Sequence, residues 1–579
     1  MAVDPITIEV VIHRLQAATD EMLATLVKTA YSPNIKERRD CSVGVFDRKG
    51  DLIALTAMTG GHLASLIGMV DNILSRHALD SLEEGDAFLT NDPYVGGGAH
   101  LMDLAVMSPI FVDGEVVAFA VSLGHHSDIG GKVPGSESAD CTSIFQEGLR
   151  IPPVKLMAAG VLQQDIFDMV MLNTRTPLER EGDLKAQIAT NNTGIRRIQD
   201  TFAAFGTETM FEAIEGMLDY AERRTRQEIA KIPDGTYENT DYLDNDGVKD
   251  IEVKLKVAIT IKGDRISFDF TGCDPQISGG RNMPYVTTLA CVYYSVKAMT
   301  DPYLPPNAGY FRAIDVVAPK GTVVNCDAPA ATSDRAASSN IMGDVLMGAW
   351  AKVLPERAMA GCGPLAGYIF SGLDPLNGLY YVDYETYAGA SGGFMHMDGK
   401  DAVRVHTSGA SNLPVESVEQ EYPLTVERYE LVADSGGPGR HRGGLATVRD
   451  IRMWGEQPEL AGRGLRQTRP ALGMFGGRDG TVGYFKIEPG TDNEQKLPGS
   501  FSQLPVEPGT MARVQTPSGA GYGPPWERDP DKVLDDIRSG KISAPAAERD
   551  YGVVMENGEI DEDKTASRRA QMEAEADGS

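Results

Sequence analysis

The sequence predicts a large, multi-layer α/β chain of the mixed α+β kind, organised on antiparallel hairpins. Three observations carry this. Asp113-Gly114 separates two apolar runs, Leu104 to Val112 and Glu115 to Leu123; this is the strongest short-range hairpin signal, because both central residues of a type I′ turn take positive φ. Alternation from Tyr237 to Phe270, as in Val253, Leu255, Val257, Ile259 and Ile261, reads as a β-meander. Helical spacing governs residues 6–30 and most of residues 161–232.

From the N-terminus, Ile8, Ile12, Leu15, Met22 and Leu26 recur at three-, four- and seven-residue steps, giving one amphipathic helix opened by Asp4-Pro5. His13 on that helix reads as a core or boundary residue. A charged loop over residues 31–40 feeds a strand, Ser42 to Phe46, which turns into Leu52 to Leu55. Asp40 therefore stands at a strand mouth. Gly60-Gly61-His62 precedes an apolar helix from Leu63 to Leu74, and His62 either caps that helix or faces the site, the structural role being the expected one. Ala87 to Thr90 is a short strand. The break at Pro233 to Gly235 ends the second helical region. After the meander, residues 284–300 and 335–353 are helices with strand at 310–325, and Gly-rich loops and short strands dominate beyond 360. The predicted segments are 1–232, 233–355, 356–554 and a charged tail or frayed helix over 555–579.

A net charge of −29 argues against nucleic-acid or anionic-membrane surfaces, which need clustered Lys and Arg. No run approaches the roughly 18 apolar residues of a bilayer span, and the first ten residues lack the basic and apolar regions of a signal peptide. The six cysteines are scattered, with no C-x-x-C, as free thiols in a reducing cytoplasm would be.

Residues 91–131 hold three of the nine histidines, His100, His125 and His126, among Asp92, Asp103 and Asp128. Folding back at Asp113-Gly114 places Met102 and Asp103 beside Gly124 and His125. His100 and Asp103 have H-x-x-D spacing, and imidazole with carboxylate suits Zn²⁺, Mn²⁺ or Fe²⁺. Strict alternation from a Val112–Glu115 pair puts His126, not His125, on the face of Asp103; a bulge near Gly124 reverses this, so the pattern leaves both open. Gly389-Ala-Ser391-Gly-Gly393 matches G-x-S-x-G, which would make Ser391 a nucleophile only with a strand before and a helix after. The Gly436–Gly444 run could hold a phosphate on backbone N–H groups, but no G-K-[ST] occurs, so nucleotide chemistry needs a partner chain.

Together these motifs resemble the B-type subunit of the hydantoinase/oxoprolinase family over nearly the whole chain. The carrying residues are Glu37-Arg-Arg-Asp40, Asn91-Asp-Pro-Tyr94 with His100-x-x-Asp103, His125-His126-x-Asp128, Gln146-Glu147-Gly148, Asp269-Phe-Thr-Gly272, Asn412-x-Pro-Val-Glu416, Asp434-Ser-Gly-Gly437 and Tyr551-Gly-Val. The family holds ATP-dependent hydantoin, oxoproline and lactam hydrolases and ketone carboxylases acting on acetone or acetophenone. The resemblance implies a cytoplasmic hetero-oligomer in which an A-type subunit of actin-like ATPase fold uses ATP and Mg²⁺ to phosphorylate a carbonyl or enolate oxygen. It implies a divalent metal on Asp40, His100, Asp103 and His125, with His126 or Asp128 orienting ligands or moving protons. Cys41 stands where Phe is common in the family, and Gly60-Gly61 where Pro-Val is typical. These departures bear on the substrate more than on the metal.

Overall fold

The computed structural model describes residues 3–577. The N-terminal part is a seven-stranded antiparallel sheet of β1 (Cys41–Asp47), β2 (Leu52–Ala57), β3 (Ala87–Thr90), β4 (Asp103–Val112), β5 (Glu115–His125), β6 (Val154–Ala158) and β7 (Val161–Leu162), in the order β2-β1-β5-β4-β3-β6-β7. Its helices are α1 (Pro5–Thr29), α2 (Pro33–Lys36), α3 (Met69–Leu74), α4 (Gln164–Leu172), α5 (Pro177–Phe205) and α6 (Thr207–Ile229). Asp4 caps α1, its carboxylate accepting the N–H groups of Ile6 and Thr7, and Pro5 sits where a missing N–H costs nothing. The stripe Val11, Leu15, Ala18, Met22 and Leu26 packs with α5, α6 and one face of β1 and β5. On the opposite face α3 buries Met69, Val70 and Ile73 against Phe46, Met107 and Phe119. A sheet covered on both faces explains why β1 and most of β4 and β5 read as continuous apolar runs rather than alternating ones.

The central hairpin forms where the sequence places it. Asp113 and Gly114 take φ of 52° and 83°, and Val112 pairs with Glu115. Two residues on, the register shifts: Phe111 faces Val116 while Ile110 faces Ala118. The unpaired Val117 is a bulge, and from there the ladder runs so that Asp103 lies directly opposite His125. A bulge does set the side-chain face, but it sits beside the turn and not near Gly124.

Alternation over 237–270 becomes β8 (Gly235–Leu243), β9 (Val253–Lys262) and β10 (Arg265–Asp269), joined by a parallel β11 (Ile314–Val317) in the order β11-β10-β9-β8. Their inner residues, with α7 (Tyr285–Met299) and α9 (Arg335–Trp350), build the largest apolar core, centred on Phe268, Ile341 and Trp350; α8 (Ala308–Phe311) caps it. Beyond 360, β12 (Ala366–Leu373) and β13 (Tyr380–Tyr387) pair with strands Glu456–Gly464 and Ser500–Pro505, and a five-stranded sheet follows.

Three expectations are corrected. The helix expected over 63–74 is a 3₁₀ turn, Gly60–Leu63, followed by α3 alone, because Gly68 at φ 80° interrupts it. Strand over 310–325 shrinks to four residues after α8. Beyond 360 the chain is not only loop and strand, since helices Pro530–Arg538 and Ala544–Tyr551 form there, whereas the helix at the charged tail is as expected, over Glu562–Asp577.

Candidate metal centre

The open ends of three neighbouring strands carry the candidate ligands. β1 pairs with β5 through Cys41 and Gly124, so the residues one step outward are Asp40 and His125. The backbone places them side by side: His125 N–H donates to the carbonyl of Asp40 at 3.0 Å. Arg39, at φ 57°, turns the chain into β1 and presents Asp40. On the other side of β5, Asp103 begins β4 opposite His125. His100 reaches the same point from the loop before β4, where Gly98 (φ 130°) passes so close that a Cβ would lie 2.7 Å from that of Asp103. One ligand-type atom from each of His100, Asp103 and His125 falls within 4.8 Å of the others, and all three residues are buried.

The hydrogen bonds divide Asp103 in two. Its Oδ2 accepts from Ala99 N–H at 2.9 Å and from Arg335 Nη2 at 3.1 Å. Among the described residues its Oδ1 has no hydrogen-bond partner, and it faces His100 Nε2 at 3.4 Å, which has none either. His100 Nδ1 lies 3.2 Å from the carbonyl of Ser333 and so carries the ring proton, leaving Nε2 a bare lone pair. Two buried acceptors aimed at each other cost free energy unless a cation lies between them, so the residues present fit a divalent metal. Asn34 Nδ2 holds His125 from behind, at 2.5 Å from its carbonyl oxygen and 3.0 Å from Nδ1, and so fixes the ring relative to its own backbone.

Of the two roles open to His62, the structure shows the second: it faces this cluster. Its Nδ1 contacts Ser42 Oγ at 2.8 Å; Ser42 gives its own proton to the carbonyl of Cys41, so His62 Nε2 is also a free lone pair, 3.9 Å from Asp103 Oδ1. Neither the 3₁₀ turn that contains it nor α3 has a side-chain cap bond, so His62 caps neither. A cavity of about 60 Å³ is lined by Asp40, His62, His100 and His125, and by Arg335 at the start of α9, Tyr384 and Thr386 of β13, Arg404 and Arg463. The last five come from 235 to 363 residues beyond His100 and have no local signal that would mark them. Tyr384 donates its hydroxyl to Glu137, lies with its ring 4.9 Å from that of His125, and receives Arg463.

Charge states follow from burial against neighbours. Burial pushes Asp103 upward, but His100 and Arg335 overcome it and hold its carboxyl well below the ordinary range. Asp40 is lowered likewise, burial being outweighed by His125, His62 and Arg38. Burial pulls His62 down and His125 further. Both carboxyls are therefore held in their anionic form, and burial disfavours the charged form of His62 and His125, as metal binding requires.

His126 and Asp128 are not brought to the cavity. His126 turns to α5, its Nε2 3.0 Å from Gln187 Oε1, and burial with the nearby Arg180 lowers it to about 4. Asp128 accepts from the backbone N–H groups of Gly130, Gly135 and Arg175 and from Arg175 Nη1 at 2.9 Å, which anchors the loop leaving β5. Ser391 accepts from Lys400 N–H and donates to the carbonyl of Gly392; among the described residues no histidine bonds to it, and no helix follows. In the Gly436–Gly444 run, Arg440 pairs with Glu527 and Arg442 with Asp401. A second group, Asp344, Cys362 and His406, is close-knit, but Asp344 is spent on His406 Nε2, Cys362 N–H and Arg466 at 2.9–3.0 Å.

A buried pocket of carboxylates, neutral imidazoles and guanidiniums, assembled from distant segments of a multi-sheet α/β frame, is the architecture of an enzyme component. The chain belongs to the hydantoinase B/oxoprolinase family, whose model matches residues 4–525. It is 33% identical to the B-type component assigned to a D-/L-hydantoinase of Pseudomonas sp. strain NS671, over 98% of each chain. It is 31% identical to the beta chain of the caprolactamase of Pseudomonas jessenii, over 98% of this chain and 99% of that one. The crystal structure of the ATP-dependent caprolactamase from that organism matches with a TM-score of 0.89 at 29% identity, covering 98% of this chain and all of the other. Acetone carboxylase in its nucleotide-free form has the same fold, with a TM-score of 0.90 at 20% identity over 99% and 83% of the two chains.

Proposed function

We propose that this chain is the metal-containing B-type subunit of an ATP-dependent cyclic-amide hydrolase, acting on a carbonyl that an A-type ATPase partner has phosphorylated. The observation that carries the reading is the unsatisfied, buried pair of His100 Nε2 and Asp103 Oδ1, in a chain alike to the beta chain of a caprolactamase over its whole length. Asp40, His100, Asp103 and His125 would hold a divalent cation, Zn²⁺, Mn²⁺ or Fe²⁺. When bound, such an ion supplies Lewis-acid polarisation and eases the deprotonation of water.

The chain's own groups do the rest. Neutral His62, with Nε2 free and Nδ1 fixed on Ser42, accepts the proton of the water that adds to the activated carbon. Arg335 and Arg463 put positive charge at the cavity wall while carboxylates hold each in place. His126 and Asp128 are positioning residues, pinning the chain beyond His125 to α5 and Arg175. The partner makes the working enzyme a hetero-oligomer. Its location is the cytoplasm, a reading supported by six buried free cysteines; among the described residues no helix is long and apolar enough to cross a membrane. A second reading, a component of an ATP-dependent ketone carboxylase, is favoured by one observation, the fold shared with acetone carboxylase.

The test is the complex co-purified with its A-type partner, assayed for ATP turnover against hydantoins, lactams and aryl ketones with and without bicarbonate. Bicarbonate-independent ring opening, lost in His100→Ala, supports hydrolysis. Turnover only of ketones with bicarbonate supports the carboxylase, and full activity in a metal-depleted His100→Ala complex refutes both.

A further inference from the structure

Two guanidiniums at the cavity lack the partner that buried arginines elsewhere in this protein have. Arg38 is fully buried and Arg404 lines the cavity. Arg38 gives Nε to the carbonyl of Ser411 at 3.3 Å, Nη1 to the carbonyl of Tyr384 at 2.9 Å and to Asn34 Oδ1, and Nη2 to the Thr386 hydroxyl. Arg404 gives Nη2 to that same hydroxyl at 2.7 Å, to the Thr386 carbonyl and to Asn412 Oδ1, and Nη1 to Ser408 Oγ at 3.2 Å. Every acceptor is neutral. Arg180, Arg281, Arg463 and Arg466 are comparably buried, and each has a carboxylate within ion-pair distance.

Scarcity of acids does not explain this, because the chain carries 83 Asp and Glu against 54 Lys and Arg. Asp40 acts on both guanidiniums and Glu385 on Arg404, but neither carboxylate is an ion-pair partner of either: Asp40 faces His125 and His62, and Glu385 pairs with Arg449. Two cations therefore share one hydroxyl in a low-dielectric wall with no carboxylate in contact with either, so an arriving anion is favoured there. One further observation points the same way. Burial and the charge of Arg38 together pull Arg404 down to about 10.

We propose that Arg404, backed by Arg38 and oriented by Thr386 and Ser408, is an oxyanion-binding subsite of the cavity, which seats a carboxylate or phosphoryl group of the substrate. The inference rests on reading the cavity as the place where a cyclic amide is opened. It narrows the substrate to one that presents an anion there, either a ring carboxylate or the phosphoryl group added by the partner. Guanidinium suits both, since its planar donors match two-oxygen anions.

The experiment titrates the full-length, metal-loaded chain with 5-oxoproline, with 2-pyrrolidinone (the same ring without the carboxylate) and with inorganic phosphate, by calorimetry. The variants are Arg404→Gln and Arg404→Lys, with folding checked by circular dichroism. If the anion is the ring carboxylate, Arg404→Gln weakens 5-oxoproline at least tenfold relative to 2-pyrrolidinone and leaves phosphate alone. If it is the phosphoryl group, phosphate binding falls at least tenfold instead. Arg404→Lys keeps the charge but not the fork, and loses three- to tenfold; this variant decides the matter if the glutamine form does not fold. Changes below twofold for both anions in a folded variant overturn the subsite. The assay of the complex separates the two claims: Arg404-dependent anion binding without ring opening leaves the subsite standing and sinks the hydrolase reading, and ring opening without that dependence does the reverse.

Discussion

Replacing Asp103 by Asn changes one charge and almost no volume. The side chain keeps an oxygen for Ala99 N–H and Arg335, and turns an NH₂ toward His100 Nε2, which has no partner in the wild type. The metal-free protein loses charge assistance at Arg335 but gains a hydrogen bond at His100, so its stability changes by only about 1 kcal/mol. Metal affinity is another matter: an anionic ligand has become a donor, and a loss of at least about 100-fold follows. With free metal buffered at 100 times the wild-type Kd, the ion stabilises the wild type by about 2.7 kcal/mol and a 100-fold weaker variant by about 0.4 kcal/mol. Denaturant unfolding with and without chelator, paired with metal analysis of the same samples, measures both. A chelator response in Asp103→Asn equal to that of the wild type, or no response in either, would refute the reasoning.

Asn34→Ala removes the amide that orients His125, and metal affinity measured by competition with a chromophoric chelator should fall 10- to 100-fold. Burial raises the Glu147 carboxyl to about 8 although it accepts the N–H groups of Thr332 and Ser333. Its folded pKa exceeds its unfolded one, so the native state holds an extra proton between about pH 4.5 and 8; the stability this supplies is full below that window and lost as pH rises through it. Unfolding curves of wild type minus Glu147→Gln should show that difference shrinking from pH 5 to pH 8, and a flat difference contradicts it. Ser391→Ala should leave turnover of the complex within twofold of wild type, because its hydroxyl serves only backbone groups.

What the sequence reveals here is what is local. Asp113-Gly114 declares its hairpin because two consecutive positive φ values need those residue types. The alternation of β9 declares its sheet. The choice between His125 and His126 is not local: it depends on Val117 having no partner, and a valine in an apolar run gives no sign of being a bulge. His62 reads as either a helix cap or a site residue because an apolar run follows it, and only the three-dimensional approach of Ser42 and Asp103 chooses between them. Asp128 shows the converse, a carboxylate inside the richest motif that the fold uses wholly for anchoring. Arg335, Tyr384, Arg404 and Arg463 leave no trace in the sequence because tertiary packing, not spacing, delivers them.

The proposed chemistry depends on Asp40, His100, Asp103 and His125 sharing one divalent cation. Anomalous diffraction from crystals of the metal-loaded protein, recorded above and below the metal's absorption edge, tests this most directly. The expected result is a single strong peak within roughly 2.0–2.3 Å of ligand atoms from all four residues. A peak at Asp344, Cys362 and His406 instead, or none between His100 and Asp103, would contradict it.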